Sequence, residues 1–104
     1  MNICIFTVIK NEQNYLDDFL KYHTDLGIDI YIFEDLFSES HEEICQKYSK
    51  VYLHSIKELY SEFEIPKLIK NRTNHVPSQT EFINRGLKFI YSLNFFINVS
   101  IFNM

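Results

Sequence analysis

Tryptophan is absent from this chain, and glycine, proline and cysteine occur only twice each. With no Gly/Pro/Ser-rich stretch to act as a linker, 104 residues support one small core and no second domain, so residues 1–104 read as a single domain. Cys4 and Cys45 match neither a metal-knuckle spacing nor a disulfide framework, which leaves buried reduced thiols in a cytoplasmic protein as the expectation. No basic segment precedes the short apolar run at the start, as a signal peptide requires. Near the end, GLKFIYSLNFFINVSIFNM is interrupted by Asn94, Asn98 and Ser100. Its apolar pieces fall well short of the roughly 20 residues that a spanning helix needs, so membrane association is not the expected class.

Positive charge is scarce in the first part. From Met1 to Gln46 ten acids face only Lys10 and Lys21, a balance of −8, while Lys47 to Met104 carries eight basic residues against four acids, a balance of +4. The basic residues are scattered and the acidic first part repels a polyanion, so nucleic acid is not an expected partner. What the chain does have is 46% hydrophobic and 16% aromatic residues, the latter all Phe and Tyr. That is ample for a folded core.

Ile3 to Ile9 is a continuous apolar run rich in β-branched residues, the pattern of a strand buried on both faces. Asn11 is placed to cap the helix that follows, with Glu12 at the positive end of its dipole. Leu16, Phe19, Leu20, His23 and Leu26 recur at helical spacing, and Gly27 reads as a left-handed C-cap. His23, on that apolar stripe, reads as a core residue. Ile28 to Phe33 is a second buried strand running into Glu34 and Asp35. Ser40 with Glu43 fits a capping box for a second helix, and Val51 to Ile56 fits a third strand. The connections are too long for hairpins, so the sheet should be parallel. From Lys57 to Pro77 periodicity is lost. Ser78 with Glu81 then opens a helix containing Gly86, which fits close packing or ligand approach and equally a tolerated glycine with no special role, and Phe95 to Phe102 reads as a last strand.

The expected fold is α/β, a Rossmann-like, mostly parallel sheet flanked by helices. Ligands of such sheets bind at the carboxyl ends of the strands, where strand order reverses. Thr7 to Glu12 and Glu34-Asp35 both fall on that edge. A carboxylate there accepts hydrogen bonds from a ribose or from the imide N–H of uracil, although Asp35 is equally consistent with capping or solvating a loop.

The stretch ICIFTVIKNEQNYLDDFLKYHTDLGIDIYIFEDLFSES resembles the opening of a glycosyltransferase family 2-type domain: an apolar strand, Lys10-Asn11-Glu12, a helix ending Tyr22-His23 through to Gly27, then a strand and an acidic turn. The likeness covers Ile3 to Ser40 well and Gln79 to Ile90 loosely. It implies the nucleotide-binding part of a GT-A fold and transfer of a sugar from a nucleotide-diphosphate sugar, with a UDP-sugar as the expected donor, to a glycan or lipid-linked acceptor. By the same resemblance Thr7, Asn11 and Glu12 would help form the nucleoside pocket, Asp35 would contact uracil or ribose, and Arg85 would lie near the diphosphate. An Arg fork suits that role because it binds phosphate oxygens in pairs, though an exposed, solvated Arg85 fits the sequence as well.

The family follows its second helix motif with a strand ending Asp-x-Asp, whose acids hold a divalent cation, Mn²⁺ or Mg²⁺, against the diphosphate. This chain has no acid after Glu81. The expectation is therefore a GT-A region truncated before that motif, doubtful in turnover, with a hydrophobic sheet edge that favours self-association. The competing expectation is a non-catalytic Rossmann-like module that binds a nucleotide or a protein.

Overall fold

The computed structural model describes residues 3–36, 38–67, 69, 79–93 and 98–101. In chain order these form β1 (Ile3–Ile9), α1 (Gln13–Asp25), β2 (Asp29–Glu34), the short α2 (Glu42–Cys45), β3 (Val51–Ser55), a 3-10 turn (Ile56–Leu59), α3 (Gln79–Ser92) and β4 (Asn98–Ile101). The four strands make one sheet in the order β3-β2-β1-β4. Every pairing is parallel, with Cys4 opposite Asp29, Ile30 opposite Val51 and Ile3 opposite Asn98. The α/β class and the parallel sheet thus follow from the run of apolar strands and crossover-length connections. The expected last strand is shorter than its apolar stretch: Asn98–Ile101 pairs, while 95–97 and 102 lie outside the described residues. Ser78 of the expected capping box, and Pro77, lie outside them too.

Strand β1 is apolar at nearly every position because both of its faces are covered. Towards α1, Ile5, Ile9, Ile30 and Ile32 meet Leu16 and Leu20 of the helix and Cys45 of α2. Towards α3, Cys4, Phe6, Tyr31 and Phe33 meet Phe82 and Ile90, with Ile56 closing the carboxyl end. Burial pushes the thiols of Cys4 and Cys45 up to about 11, which fits inert core cysteines. Helix α2 is tied to α1 through Tyr48, whose hydroxyl donates to the Asp17 carboxylate, and through Lys47 at 3.2 Å from the same group.

Gly27 follows α1 with φ of +80°, and its N–H donates to the carbonyl of Thr24 at 2.9 Å, as a left-handed helix stop requires. Gly86 answers to packing: a Cβ there would stand 2.2 Å from Cζ of Phe6. The glycine is what lets α3 lie close against the sheet.

Two helix starts differ from the sequence expectation. The N-cap of α1 is Glu12, with no side-chain cap bond, and Asn11 instead takes a left-handed φ of +52°. The N-cap of α2 is His41, and the Ser40/Glu43 capping box does not form. Ser40 Oγ accepts from the N–H of Glu42 at 3.3 Å instead. A complete capping box does occur at Ser55 and Glu58, where it opens the 3-10 turn.

Candidate functional site

The carboxyl ends of β1 and β2 converge. The N–H of Asp35 donates to the carbonyl of Ile9 at 2.9 Å, extending the parallel ladder one residue past β2. Both chains then turn away from the sheet, and the turns are laced together. Asn11 N–H donates to Ser38 Oγ at 3.1 Å, while Asn11 Oδ1 accepts from the N–H of Glu39 at 2.8 Å. The left-handed backbone at Asn11, which asparagine tolerates better than most residues, turns both of these groups towards the 38–41 segment. The side chain of Gln13 adds a bond to the carbonyl of Ser40 at 3.3 Å.

At the centre of this lacing is His41, 1% exposed. Its Nε2 accepts from the backbone N–H of Glu12 at 3.0 Å, so the ring proton resides on Nδ1, which donates to Glu34 Oε2 at 2.9 Å. The His41 backbone N–H donates to the same oxygen at 2.9 Å. One buried imidazole thus clasps the start of α1, the end of β2 and the start of α2.

The expected site residues divide into three groups. Asn11, Glu12 and Asp35 come together at the carboxyl edge, and Asp35 is buried at 7% exposure. The polar groups of Asn11 and the N–H of Glu12 are already used in the lacing. Thr7 is fully buried on the α1 side, between Ile5 and Ile9 in the strand alternation and opposite Ile32. Its Oγ1 has no hydrogen-bond partner among the described residues. Arg85 belongs to a different assembly on α3. Its guanidinium donates to both carboxylate oxygens of Glu64, at 2.6 and 3.2 Å, and to the carbonyl of Leu59 at 2.9 Å. It lies 3.4 Å from Glu81 and 4.0 Å above the centre of the Tyr60 ring. Arg85 thereby holds the Glu64 carboxyl down at about 2, while burial pushes the Tyr60 phenol up to about 12.

Two clefts open on the α2 side of this edge. One, of about 370 Å³, is lined by Gln13, Ser40, His41 and the first turn of α2. The other, of about 430 Å³, runs beside β3 and gathers Glu34, Glu42, His54 and Glu58. His54 Nδ1 bonds Glu58 at 3.0 Å. Among the described residues no three His, Cys, Asp or Glu side chains are grouped so as to hold a metal ion. Among the described residues the donor set does not fit the divalent cation that the family resemblance implies.

His41 was missed by sequence reasoning as a member of this edge, and Glu34, which was placed on it, was given no histidine partner. A histidine between a serine and a helix carries no spacing signal, because its partners stand 29 and 7 residues away. Among the described residues no helix is long and apolar enough to cross a membrane. Comparison of the chain with protein-family models, curated proteins and solved structures returned no match. The glycosyltransferase likeness rests on the residues quoted above.

Proposed function

We propose that the chain binds the nucleotide of a nucleotide-diphosphate sugar, with a UDP-sugar as the donor class, at the carboxyl ends of β1 and β2, beside the β1/β4 boundary. A cytoplasmic location accords with two buried, reduced cysteines. The observation that carries the reading is the sheet order β3-β2-β1-β4 together with the Ile9–Asp35 bond. The order reverses direction at β1, which makes the β1/β4 boundary the switch point, and the bond brings a buried carboxylate to the same edge. In this reading Asp35 accepts from uracil or ribose, and the Asn11–Ser38–Glu39 lacing shapes the rim.

Sugar transfer to a glycan or lipid-linked acceptor is the reaction that the resemblance attaches to such a site. It needs groups beyond those in this chain: a cation-binding acid pair and a base for the acceptor hydroxyl. Binding without turnover is therefore the expected behaviour of these 104 residues. The second reading, an interaction module that binds no nucleotide, draws on the commitment of Arg85 to Glu64, which leaves its fork unavailable to a diphosphate.

Calorimetric titration of UDP and a UDP-sugar, with and without Mn²⁺, separates the two. The donor reading expects weak, metal-independent binding that Asp35→Asn and Asp35→Ala both reduce at least tenfold while the fold is retained. No heat at millimolar UDP, or binding indifferent to both substitutions, sinks it in favour of the module.

A further inference from the structure

The carboxyl edge depends on one buried imidazole whose two nitrogens do opposite jobs. Nδ1 donates to Glu34, and Nε2 must keep its lone pair to accept from Glu12. The second bond exists only while the ring is neutral. In the imidazolium both nitrogens carry protons, so Nε2–H would face the Glu12 N–H, donor against donor. The Glu34 side behaves differently, because its carboxylate accepts from the neutral ring and from the cation alike.

We propose that His41 is a proton-operated latch: the neutral ring fastens residues 38–41 to the start of α1, and the protonated ring lets go of the Glu12 N–H while staying attached to Glu34. Asp35 lies at the end of β2 on the same edge, so acidification loosens the edge at which the nucleotide would sit. In its effect on binding, though not as a device, the proposal rests on the donor-nucleotide reading above. His41 acts through the backbone and is a positioning residue.

Release requires that the protonated state be reachable inside the fold. The charged groups on the elements around the ring are Glu34 from β2, Glu12 at the start of α1 with Lys10 just before it, Glu42 and Glu43 from α2 with Lys47 just after it, and Asp35 and Glu39 from the intervening segment. The thiol of Cys45, whose N–H bonds the His41 carbonyl, is held neutral by burial and is silent. Loss of the Glu12 bond leaves the α1–segment contacts of Asn11 and Gln13, so the expected motion is local opening and not unfolding.

The test is an acid titration of the full chain, labelled with ¹⁵N, following the His41 ring nitrogens and the Glu12 backbone amide together. At neutral pH the ring should show the Nδ1–H form. On acidification its protonation and an at least tenfold loss of Glu12 amide protection should share one midpoint, well above the pH of global unfolding. His41→Gln puts an amide oxygen near the Nε2 position and takes no proton, so Glu12 should stay protected across the range. His41→Asn reaches only the Nδ1 position, so Glu12 should be unprotected throughout. The device is overturned if the ring stays neutral until the protein unfolds, if it titrates while Glu12 does not respond, or if Glu12 loses protection at the same pH in wild type and His41→Gln. The wild-type titration decides even if a variant fails to fold. In a parallel arm, UDP affinity should drop at least threefold across the same midpoint in wild type and stay flat in His41→Gln. Absence of UDP binding at every pH overturns the donor reading and leaves the latch to the ring and amide results. UDP affinity that is flat in wild type while the latch opens overturns the link between the two.

Discussion

One sheet, two fillings: the side facing α1 is almost wholly aliphatic, and the side facing α3 is aromatic. On the first, Ile5, Ile9, Ile30 and Ile32 meet Leu16 and Leu20. On the second, Phe6 and Phe33 stand 5.3 Å apart at 53°, and Phe33 meets Phe89 edge-on at 5.7 Å. His54 stacks on Phe33 at 5.2 Å, and Tyr31 stacks on Tyr52 at 4.7 Å. Branched aliphatic chains fill space in many arrangements, whereas rings demand particular separations and angles. Helix α1 is thus held by volume and α3 by fit. A leucine stripe seats α1, but α3 needs a glycine at the one place where it crosses the edge of Phe6.

The largest expected effect breaks the aliphatic side. Leu20 is fully buried, and Leu20→Ala should cost about 2–5 kcal/mol in denaturant unfolding, a loss of volume that any truncation there would produce. Next comes the aromatic side, where the argument is sharper because alanine is the better helix former. At an exposed helical site Gly→Ala stabilises by about 1 kcal/mol. At Gly86 the new methyl would sit 2.2 and 2.3 Å from two ring carbons of Phe6, a ring that is fully buried against Phe33. Overpacking of this kind costs about 1–3 kcal/mol, so the sign should reverse and Gly86→Ala should unfold at lower denaturant. Adding Phe6→Leu to Gly86→Ala should recover part of the loss, as a double-mutant cycle measures. A stabilised Gly86→Ala protein would mean that α3 stands further from the sheet and that the contrast between the two faces is false.

That contrast also marks how far the sequence could be read. Strands and their parallel arrangement were legible because Ile3–Ile9 and Ile30–Phe33 are apolar runs separated by a crossover-length connection. The core stripe of α1 was legible from spacing, and Gly27 as its stop from residue type. Strand parity with Ile5 and Ile9 made the burial of Thr7 legible in principle, although the resemblance assigned Thr7 to the nucleoside pocket. The lacing of the carboxyl edge was not. Asn11 reads as a helix cap by type and position, yet its partners Ser38 and Glu39 lie 27 and 28 residues on. Arg85, given a phosphate role by the resemblance and read equally as solvated, pairs with Glu64, 21 residues back, a partner that no local signal names. Local propensity ranks such residues for the nearest available role, and tertiary contacts reassign them.

Thr7 allows the aliphatic side to be probed without creating a void. Its hydroxyl is buried without a partner among the described residues, a condition that costs free energy, whereas valine keeps the shape and removes the polar atom. Thr7→Val should therefore raise stability by about 1 kcal/mol. Its UDP affinity, if the donor reading is right, should be unchanged, because the side chain points into the core and not onto the rim. Destabilisation, or loss of nucleotide binding with the fold intact, would show that Oγ1 has a job that the aliphatic surroundings conceal.

The smallest effect sharpens the aromatic side, where α3 also carries the 59–64 segment. The donated bonds from Arg85, and then the Ser61 N–H, hold the Glu64 carboxyl at about 2 against an ordinary 4.5. A carboxyl lowered in the folded state binds protons more readily when unfolded, so its contribution is present in full above about pH 4.5 and disappears as pH falls through about 2. Both partners are substantially exposed, at 31% and 42%, and solvent screens the pair, so the gain is modest and should shrink further in high salt. Thermal unfolding between about pH 5 and pH 2 should show a steeper acid decline in wild type than in Glu64→Gln, with the two curves converging near the acid end. Arg85→Lys keeps the charge but loses the two-pronged geometry and the stacking on Tyr60, and should fall between them. Parallel acid limbs in all three proteins would mean that the ion pair does not anchor this segment, leaving the Tyr60–Phe82 ring contact at 5.9 Å to hold it on α3.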